Sequence, residues 1–242
     1  MIVVASILPL QYTEKMKLIK NDNNIARPVI LASGSPRRLS IMQEHGVEPI
    51  VRPSNSDEAL PEGADEMTME EKVMYIAAQK ARDVYEEWLA EREGHATGAK
   101  GGAAPATETH ADFPLILAAD TVVYKDRIIG KPKDEADAVA ILTELRNTFH
   151  FVYSGICIID TKDGAETSLF DVTKVWFKDY PDEEICRYVG EEQPYDKSGS
   201  YGIQSSWGQN VERVEGDVEN VMGLPWRIVA PVLSAPGQQD YT

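Results

Sequence analysis

The sequence of 242 residues contains only two cysteines, Cys157 and Cys186. They make neither a CxxC pair nor a set of zinc ligands, which excludes a disulfide framework and a structural zinc site. We expect both thiols to be buried and inert, in a reducing compartment. The four histidines have no ligand spacing, and HExxH, GxSxG, GxGxxG and GxxxxGK[ST] are all missing. These gaps argue against zinc hydrolases, serine hydrolases, Rossmann dehydrogenases and P-loop proteins.

Basic residues are scarce as well, since 24 lysines and arginines stand against 40 acidic residues, a formal net charge of −16. Nucleic acids and anionic membranes both require a basic face on the protein, so we expect neither to be the main partner. A small anionic ligand, held by a few local cations and a metal, remains compatible with this charge.

No apolar run is long enough to cross a bilayer. The N-terminal stretch MIVVASILPL is interrupted by Pro9 and lacks the charged start of a secretory signal. We therefore expect a cytoplasmic protein in which residues 1–28 form a poorly ordered leader. Residues 94–112, rich in Gly, Ala and Thr, indicate a flexible insertion, and residues 236–242 a tail. Residues 29–235 are expected to form one domain.

Within that domain, strand and helix signals are mixed. Apolar runs predict strands at VILA, VEPIV, LILAADTVVY, FHFVYSGICIID and ETSLFDVTKVWF, the third one broken at Asp120 and Thr121. Helices are predicted after Pro36, after the capping-box residue Thr68 out to about Glu93, from about Asp134 to Leu145, and in PDEEICRYV and LPWRIVAPVLS. VERVEGDVENV predicts a hairpin. Because helices and strands do not alternate strictly, we predict an α/β (α+β) fold with a mixed, long-stranded sheet.

The stretch VILASGSPRRLSIM joins a predicted strand to a predicted helix. Pro36 suits the first helical position, and the unpaired N–H groups of a helix start favour a phosphate. Gly34 lets the backbone approach a ligand, the serines beside it offer hydroxyls, and Arg37 or Arg38 can clasp two phosphate oxygens. The same residues also fit a capped surface helix with two solvated arginines. Taken alone, this stretch leaves both interpretations open.

Four further stretches carry polar residues beside strands or turns. Asp120 in AADTVV is a metal ligand, a general base or a strand-ending turn residue. Lys131 in GKP is a phosphate-binding cation or a solvated lysine. The loop DKSGSYGIQ either reads a base edge through the Gln204 amide or is a structural turn. Asp57 and Glu58 in SNSDEAL suit Mg²⁺, which prefers oxygen ligands, or are merely solvated.

Taken in order, LASGSPRR, AADTVV, GKP, DKSGSYGIQ and NVMGLP resemble the Maf family of nucleoside triphosphate pyrophosphatases, over roughly Val29 to Ala235. The resemblance implies a fold like that of inosine triphosphate pyrophosphatases: an elongated mixed sheet flanked by helices, with a cleft between two lobes. It also implies hydrolysis of a nucleoside triphosphate to the monophosphate and pyrophosphate, with a divalent metal cation, Mg²⁺, as cofactor. Family members are often dimers, so a homodimer is an option, although the sequence shows no interface signal.

The resemblance also assigns roles to single residues. Asp120 matches the family's proposed proton acceptor, and Asp120 and Glu58 are the candidate metal ligands. Gln79 stands where the family has a glutamate before Lys80, which removes one possible metal ligand. The positions assigned to substrate are Ser33, Arg37, Arg38, Lys80, Thr121, Lys131 and Gln204.

Thr121 and Gln204, together with Arg37, match the family branch that acts on dTTP and UTP. A glutamine amide carries both a donor and an acceptor, which fits the O4 and N3–H edge of uracil or thymine. Two alternatives share the same motifs: a nucleotide-binding regulator of cell division and septum formation without turnover, and a house-cleaning pyrophosphatase for modified or purine nucleotides. The full set of an acid and several cations favours catalysis, because a sensor needs no aspartate near the phosphates.

Overall fold

The computed structural model describes residues 25, 27–98 and 113–234. Apart from Ile25, Arg27 and Pro28, the predicted leader lies outside these residues, as do the tail and residues 99–112 of the predicted insertion. In the described ranges no helix has the length and apolar composition needed to cross a lipid bilayer. The elements, in chain order, are β1 (Val29–Leu31), α1 (Pro36–Glu44), β2 (Ile50–Val51), α2 (Met69–Gly98), β3 (Leu115–Lys125), β4 (Arg127–Ile129), α3 (Glu135–Leu145), β5 (Phe149–Asp160), β6 (Glu166–Phe177), α4 (Asp182–Glu192), β7 (Val211–Glu215), α5 (Val218–Met222) and α6 (Trp226–Ser234).

These seven strands form one mixed sheet in the order β2-β1-β3-β5-β6-β7. The short β1 pairs in parallel with β2 and β3, whereas β3, β5, β6 and β7 pair antiparallel. The strand β4 folds back onto β3, on the edge that β1 also uses. With helices packed on the sheet, the predicted mixed, long-stranded α/β fold is confirmed.

Three apolar clusters surround the sheet. One lies between β1, β3, β5 and the helices α1 and α6, and a second lies between the same strands and α2 on the opposite face. The third joins β4, α3 and α4 to the far ends of β3, β5 and β6. The long strands β3, β5 and β6 thus connect two halves of the molecule, each with apolar packing of its own.

Helix α2 begins where its capping box predicts. The Thr68 amide donates to Glu71 Oε2 at 2.8 Å, and the Glu71 amide donates to Thr68 Oγ1 at 3.2 Å. The helix continues to Gly98, past the predicted end near Glu93. It crosses β5 at Gly155, where a Cβ would lie 2.2 Å from the carbonyl carbon and oxygen of Val73. Only glycine allows the helix to approach the sheet so closely.

The predicted break in LILAADTVVY is wrong. The strand β3 runs without interruption, with Asp120 paired to Gly155 and Thr121 paired to Ser154 of β5. These polar side chains stay in the strand because each has a polar partner on its own face of the sheet: the Lys80 ammonium for Asp120 and the Ser154 hydroxyl for Thr121.

The predicted hairpin VERVEGDVENV is also wrong: it is strand β7 followed by helix α5. Gly216, with φ of 130°, turns the chain, and the Asp217 carboxylate then caps the helix by accepting from the Glu219 amide. The thiols differ from prediction as well. Cys157 is buried as expected, but Cys186 is exposed, because it lies on the solvent side of α4.

Candidate active site

A cleft opens where the edge of β3 is left without a neighbouring strand. On this edge β1 pairs with residues 115–117 and β4 with residues 123–125. Between these two ladders, no strand of the described part of the chain pairs with β3. The cleft over this gap has a volume of about 650 Å³ and is lined by α1, α2, β3 and the loops around them.

The structure brings nine of the predicted site residues to this cleft. Those lining it are Ser33, Arg37, Arg38, Glu58, Lys80, Asp120, Thr121, Lys131 and Gln204. Asp57 is different, because its carboxylate accepts from the Ala59 amide at 3.1 Å and does not line the cleft. Lys72 also lines it. Sequence reasoning missed this lysine, although it lies two helical turns before Lys80 and therefore on the same face of α2.

Asp120 and Thr121 enter the cleft from opposite faces of the sheet, because successive side chains of a strand alternate. Asp120 shares the α2 face with Ile116 and Ala118, whereas Thr121 shares the other face with Leu117. The open edge of β3 makes both side chains accessible to one bound molecule.

On the α2 face, Lys80 bridges two carboxylates. Its ammonium lies 2.8 Å from Asp120 Oδ1 and 2.9 Å from Glu58 Oε1. The side chains of Lys80 and Asp120 are only 11% and 14% exposed, whereas that of Glu58 is 53% exposed. The lysine therefore holds Asp120 inside the site, while Glu58 borders the solvent.

The loop that carries Glu58 is fastened to α2. The Asp83 carboxylate accepts from Ser54 Oγ and the Asn55 amide, both at 2.7 Å, and the Gln79 amide donates to the Ala59 carbonyl at 3.0 Å. Glu58 itself has φ of 56°, a left-handed conformation that costs a non-glycine residue free energy. Gln79 thus serves to hold the loop, and α2 fixes the position of the strained residue.

Arg38 is turned into the protein. Its Nε donates to the Gly223 carbonyl at 2.9 Å, Nη1 to Ser33 Oγ at 2.9 Å and Nη2 to Thr121 Oγ1 at 3.2 Å. Burial lowers the pKa of this guanidinium, and the neighbouring Asp120 carboxylate opposes that shift. Arg38 therefore joins three segments that line the cleft, whereas the sequence suggested only a phosphate contact.

Arg37 takes part in a second ion-pair group at the mouth of the cleft. Its Nη1 lies 2.8 Å from Asp196 Oδ2, and Lys197 Nζ lies 2.6 Å from Asp196 Oδ1. Burial opposes ionisation of Asp196, but hydrogen bonds from Lys197 and Arg37 lower the pKa of its carboxyl overall. This carboxylate holds the two cations near each other on the cleft wall.

Asp120 and Glu58, which both contact the Lys80 ammonium, are the two carboxylates at the cleft that could hold a divalent cation. In residues 25, 27–98 and 113–234, no group of three or more His, Cys, Asp or Glu side chains could hold a metal ion. Mg²⁺ is commonly bound by one or two carboxylates together with substrate phosphates. Two carboxylates alone would leave further coordination positions of such a cation to water or a bound phosphate.

Comparisons with known proteins found a matching family model and several similar proteins. Residues 28–235 match the family model described as Maf-like protein. A dTTP/UTP pyrophosphatase of Acetivibrio thermocellus is 40% identical over 197 residues, which cover 81% of this chain and 89% of that protein. The protein of the same name from Caldicellulosiruptor bescii is 36% identical, covering 81% and 88%.

A solved structure of a nucleoside-triphosphatase, dITP/XTP pyrophosphatase, from Mycobacterium abscessus was also matched. It is 13% identical, with a TM-score of 0.33, and the match covers 64% of this chain and 76% of that one.

Proposed function

The chain belongs to the Maf-like protein family, and on this premise we propose that it hydrolyses dTTP and UTP to the monophosphate and pyrophosphate. The observation that carries the proposal is the joint placement of nine residues, from six separate stretches of the sequence, around one cleft. Relatives that cover most of this chain and bear the name dTTP/UTP pyrophosphatase support the choice of substrate.

Asp120 is the proposed general base. Its Oδ1 is held by Lys80, which leaves Oδ2 to accept a proton from the water that attacks the α-phosphorus. Pyrophosphate then leaves on the side opposite to the attacking water. Asp120 and Glu58 would hold the divalent cation, proposed to be Mg²⁺, which supplies charge neutralisation to the phosphates when bound.

The remaining positive charge comes from side chains around the cleft. Arg37, Lys80 and Lys131 are proposed to bind the triphosphate, and Lys131 is exposed with no hydrogen bond or ion pair to any described residue. Such displacements depend on charge neutralisation more than on covalent help from the protein. These local cations explain how a chain with a net charge of −16 binds a polyanion.

Thr121 and Gln204 are proposed to contact the base. The Thr121 hydroxyl lies at the open edge of β3, and Gln204 is exposed at the cleft, with its Oε1 facing Gly202. An exposed amide is free to turn its donor toward O4 of uracil or thymine, the oxygen next to the N3–H group.

The test is a panel of nucleoside triphosphates with Mg²⁺, with pyrophosphate and monophosphate measured together. We expect equal amounts of the two products from dTTP and UTP, and a loss of kcat of about 10²- to 10⁴-fold in Asp120→Asn. The matched control is Asp126→Asn, which makes the same chemical change in the β3–β4 turn, away from the cleft.

Each alternative function has its own outcome in this panel. Tight nucleotide binding without turnover would indicate a regulator, and a preference for purine or modified nucleotides would overturn the choice of base. Full pyrophosphate release by Asp120→Asn would remove both roles proposed for that residue. A cytoplasmic location and a homodimer are further proposals, and light scattering of the purified chain tests the second.

A further inference from the structure

Thr121 lies in a row of hydrogen-bonding groups that crosses the sheet beneath α5. Arg38 Nη2 lies 3.2 Å from Thr121 Oγ1, Thr121 Oγ1 lies 2.9 Å from Ser154 Oγ, and Ser154 Oγ lies 3.2 Å from the Asn220 carbonyl oxygen. Ser154 and Asn220 are fully buried. The Ser154 and Asn220 end of the row therefore lies inside the protein, whereas Thr121 lines the cleft.

The positions of the hydrogens in this row follow from its two ends. The Asn220 carbonyl has no hydrogen to give, so Ser154 donates to it. Having spent its only hydrogen, Ser154 can only accept in the contact with Thr121, so Thr121 donates there. Arg38 is always a donor and supplies the hydrogen in the last contact. This is the single assignment that places a hydrogen in each of the three short contacts.

The consequence concerns the face that Thr121 presents to a ligand. Its one hydrogen points to Ser154, and one of its lone pairs accepts from Arg38, which leaves one lone pair for the cleft. Among the described residues, Thr121 Oγ1 has one further contact with an acceptor, the Gly223 carbonyl 3.5 Å away, which already accepts from Arg38 Nε at 2.9 Å. If the Thr121 hydroxyl hydrogen pointed to the Gly223 carbonyl instead, it would also be unable to reach the ligand.

We propose that Ser154 is a positioning residue for base selection, because it makes the Thr121 hydroxyl an acceptor that requires an N–H on the base. Uracil and thymine carry a hydrogen on N3, whereas N3 of cytosine carries a lone pair. An acceptor-only hydroxyl therefore binds the first two bases and sets lone pair against lone pair with cytosine. This inference rests on the proposed function and adds a residue that no sequence motif indicated.

The arrangement is rigid because α5 is fixed to the sheet. The Asn220 side-chain amide donates to the Val152 carbonyl at 3.0 Å and to Thr173 Oγ1 at 2.9 Å. Thr173 Oγ1 in turn donates to the Asp217 carbonyl and accepts from the Asp217 amide, both at 3.0 Å. The acceptor for Ser154 is thus held in place by contacts that do not involve Thr121.

The experiment measures kcat/KM for UTP and CTP in the wild-type protein and in Ser154→Ala. Without Ser154 Oγ, the Thr121 hydrogen is free to turn toward N3 of cytosine, and CTP gains a hydrogen bond. We expect the ratio of UTP to CTP kcat/KM to fall about tenfold, the usual effect of one hydrogen bond to a substrate. Thermal unfolding of the same variant reports on its folded state.

Two further variants separate base selection from a structural effect. Thr161→Val removes a buried hydroxyl that lies just beyond the end of β5, away from the row, and donates to the Pro114 carbonyl at 2.8 Å. This variant should lower stability without changing the UTP to CTP ratio. In Thr121→Val, the further change Ser154→Ala should leave the ratio unaltered, because Ser154 acts through Thr121. If Ser154→Ala does not fold, Ser154→Cys, with a weaker donor and acceptor, should shift the ratio in the same direction.

The outcomes distinguish this inference from the proposed function. If the wild-type protein releases no pyrophosphate from UTP, the proposed function fails. If it does so and Ser154→Ala keeps the wild-type UTP to CTP ratio, the role of Ser154 is refuted. The role is equally refuted if Thr161→Val shifts the ratio as much as Ser154→Ala does, or if the effect of Ser154→Ala persists in Thr121→Val.

Discussion

Both the fold and the candidate active site depend on the absence of a Cβ at Gly155. It pairs with Asp120 across the ladder, and α2 passes over it so closely that a Cβ would lie 2.2 Å from the Val73 carbonyl group. In Gly155→Ala, one of the two backbones must move by about 1 Å to reach ordinary contact. The neighbour is main chain, so no side-chain rotation relieves the overlap.

The magnitude follows from that displacement. Overpacking a close contact costs about 1–3 kcal/mol, and we expect the upper end, about 3 kcal/mol of unfolding free energy, since helix or strand must shift as a body. The same movement separates the Lys80 ammonium from Asp120 Oδ1, now 2.8 Å apart. A misplacement of about 1 Å in a catalytic arrangement costs about 100-fold in rate.

The assay is urea denaturation together with kcat/KM for UTP. Gly190→Ala is the matched control, because Gly190 is exposed in α4 with nothing within 4 Å of the added Cβ. That variant should gain up to about 1 kcal/mol from helix propensity and keep its activity. If Gly155→Ala unfolds at the wild-type urea concentration, α2 is not seated on Gly155 and the reasoning is refuted.

Two predictions concern buried titratable groups. Burial raises the pKa of the Cys157 thiol to about 12, whereas Cys186 is exposed. A thiol reagent at pH 8 should therefore label one cysteine in the folded chain and two after unfolding. Labelling of two cysteines before unfolding would contradict this. Burial lowers the pKa of His150 to about 3, so the unfolded chain binds a proton below pH ~6.5 that the folded chain rejects. The unfolding free energy should therefore lose about 1.4 kcal/mol per pH unit from this group as the pH falls from 6.5 toward 3. His150→Leu, compared with wild type by urea denaturation at pH 7 and pH 5, should show a smaller loss, and an equal loss would contradict the assignment.

The elements that the sequence predicts well are those with a local cause. The strands β5 and β6 have the predicted bounds, because the apolar pattern of each strand and the turn TKDG between them can be recognised from neighbouring residues alone. The failure at residues 211–221 has a local cause too. The sequence suggests a hairpin here, but Asp217 after Gly216 is a helix-capping signal, and here it prevails.

The site is predictable only in part, because a motif identifies residues of the site but not the residues from other segments that contact them. The motif residues line one cleft, yet nothing in PRR distinguishes Arg37, near the mouth, from Arg38, whose partners come from β3 and the turn after α5. Ser154 is invisible in FHFVYSGICIID for the same reason, since its role arises from a strand pairing. Gly155, a glycine inside a strand, was the available signal that a backbone approaches closely there.

The open edge of β3 has a consequence for how such a protein can change over time. Asp120 is supported by α2 and the loop after β2, whereas Thr121 is supported by α1, β5 and the segment around α5. With the roles proposed for Asp120 and Thr121, substitutions in the second set would alter which base is accepted while leaving the hydrolytic groups undisturbed. A single scaffold can diversify toward new nucleotides by mutations confined to one side of its sheet.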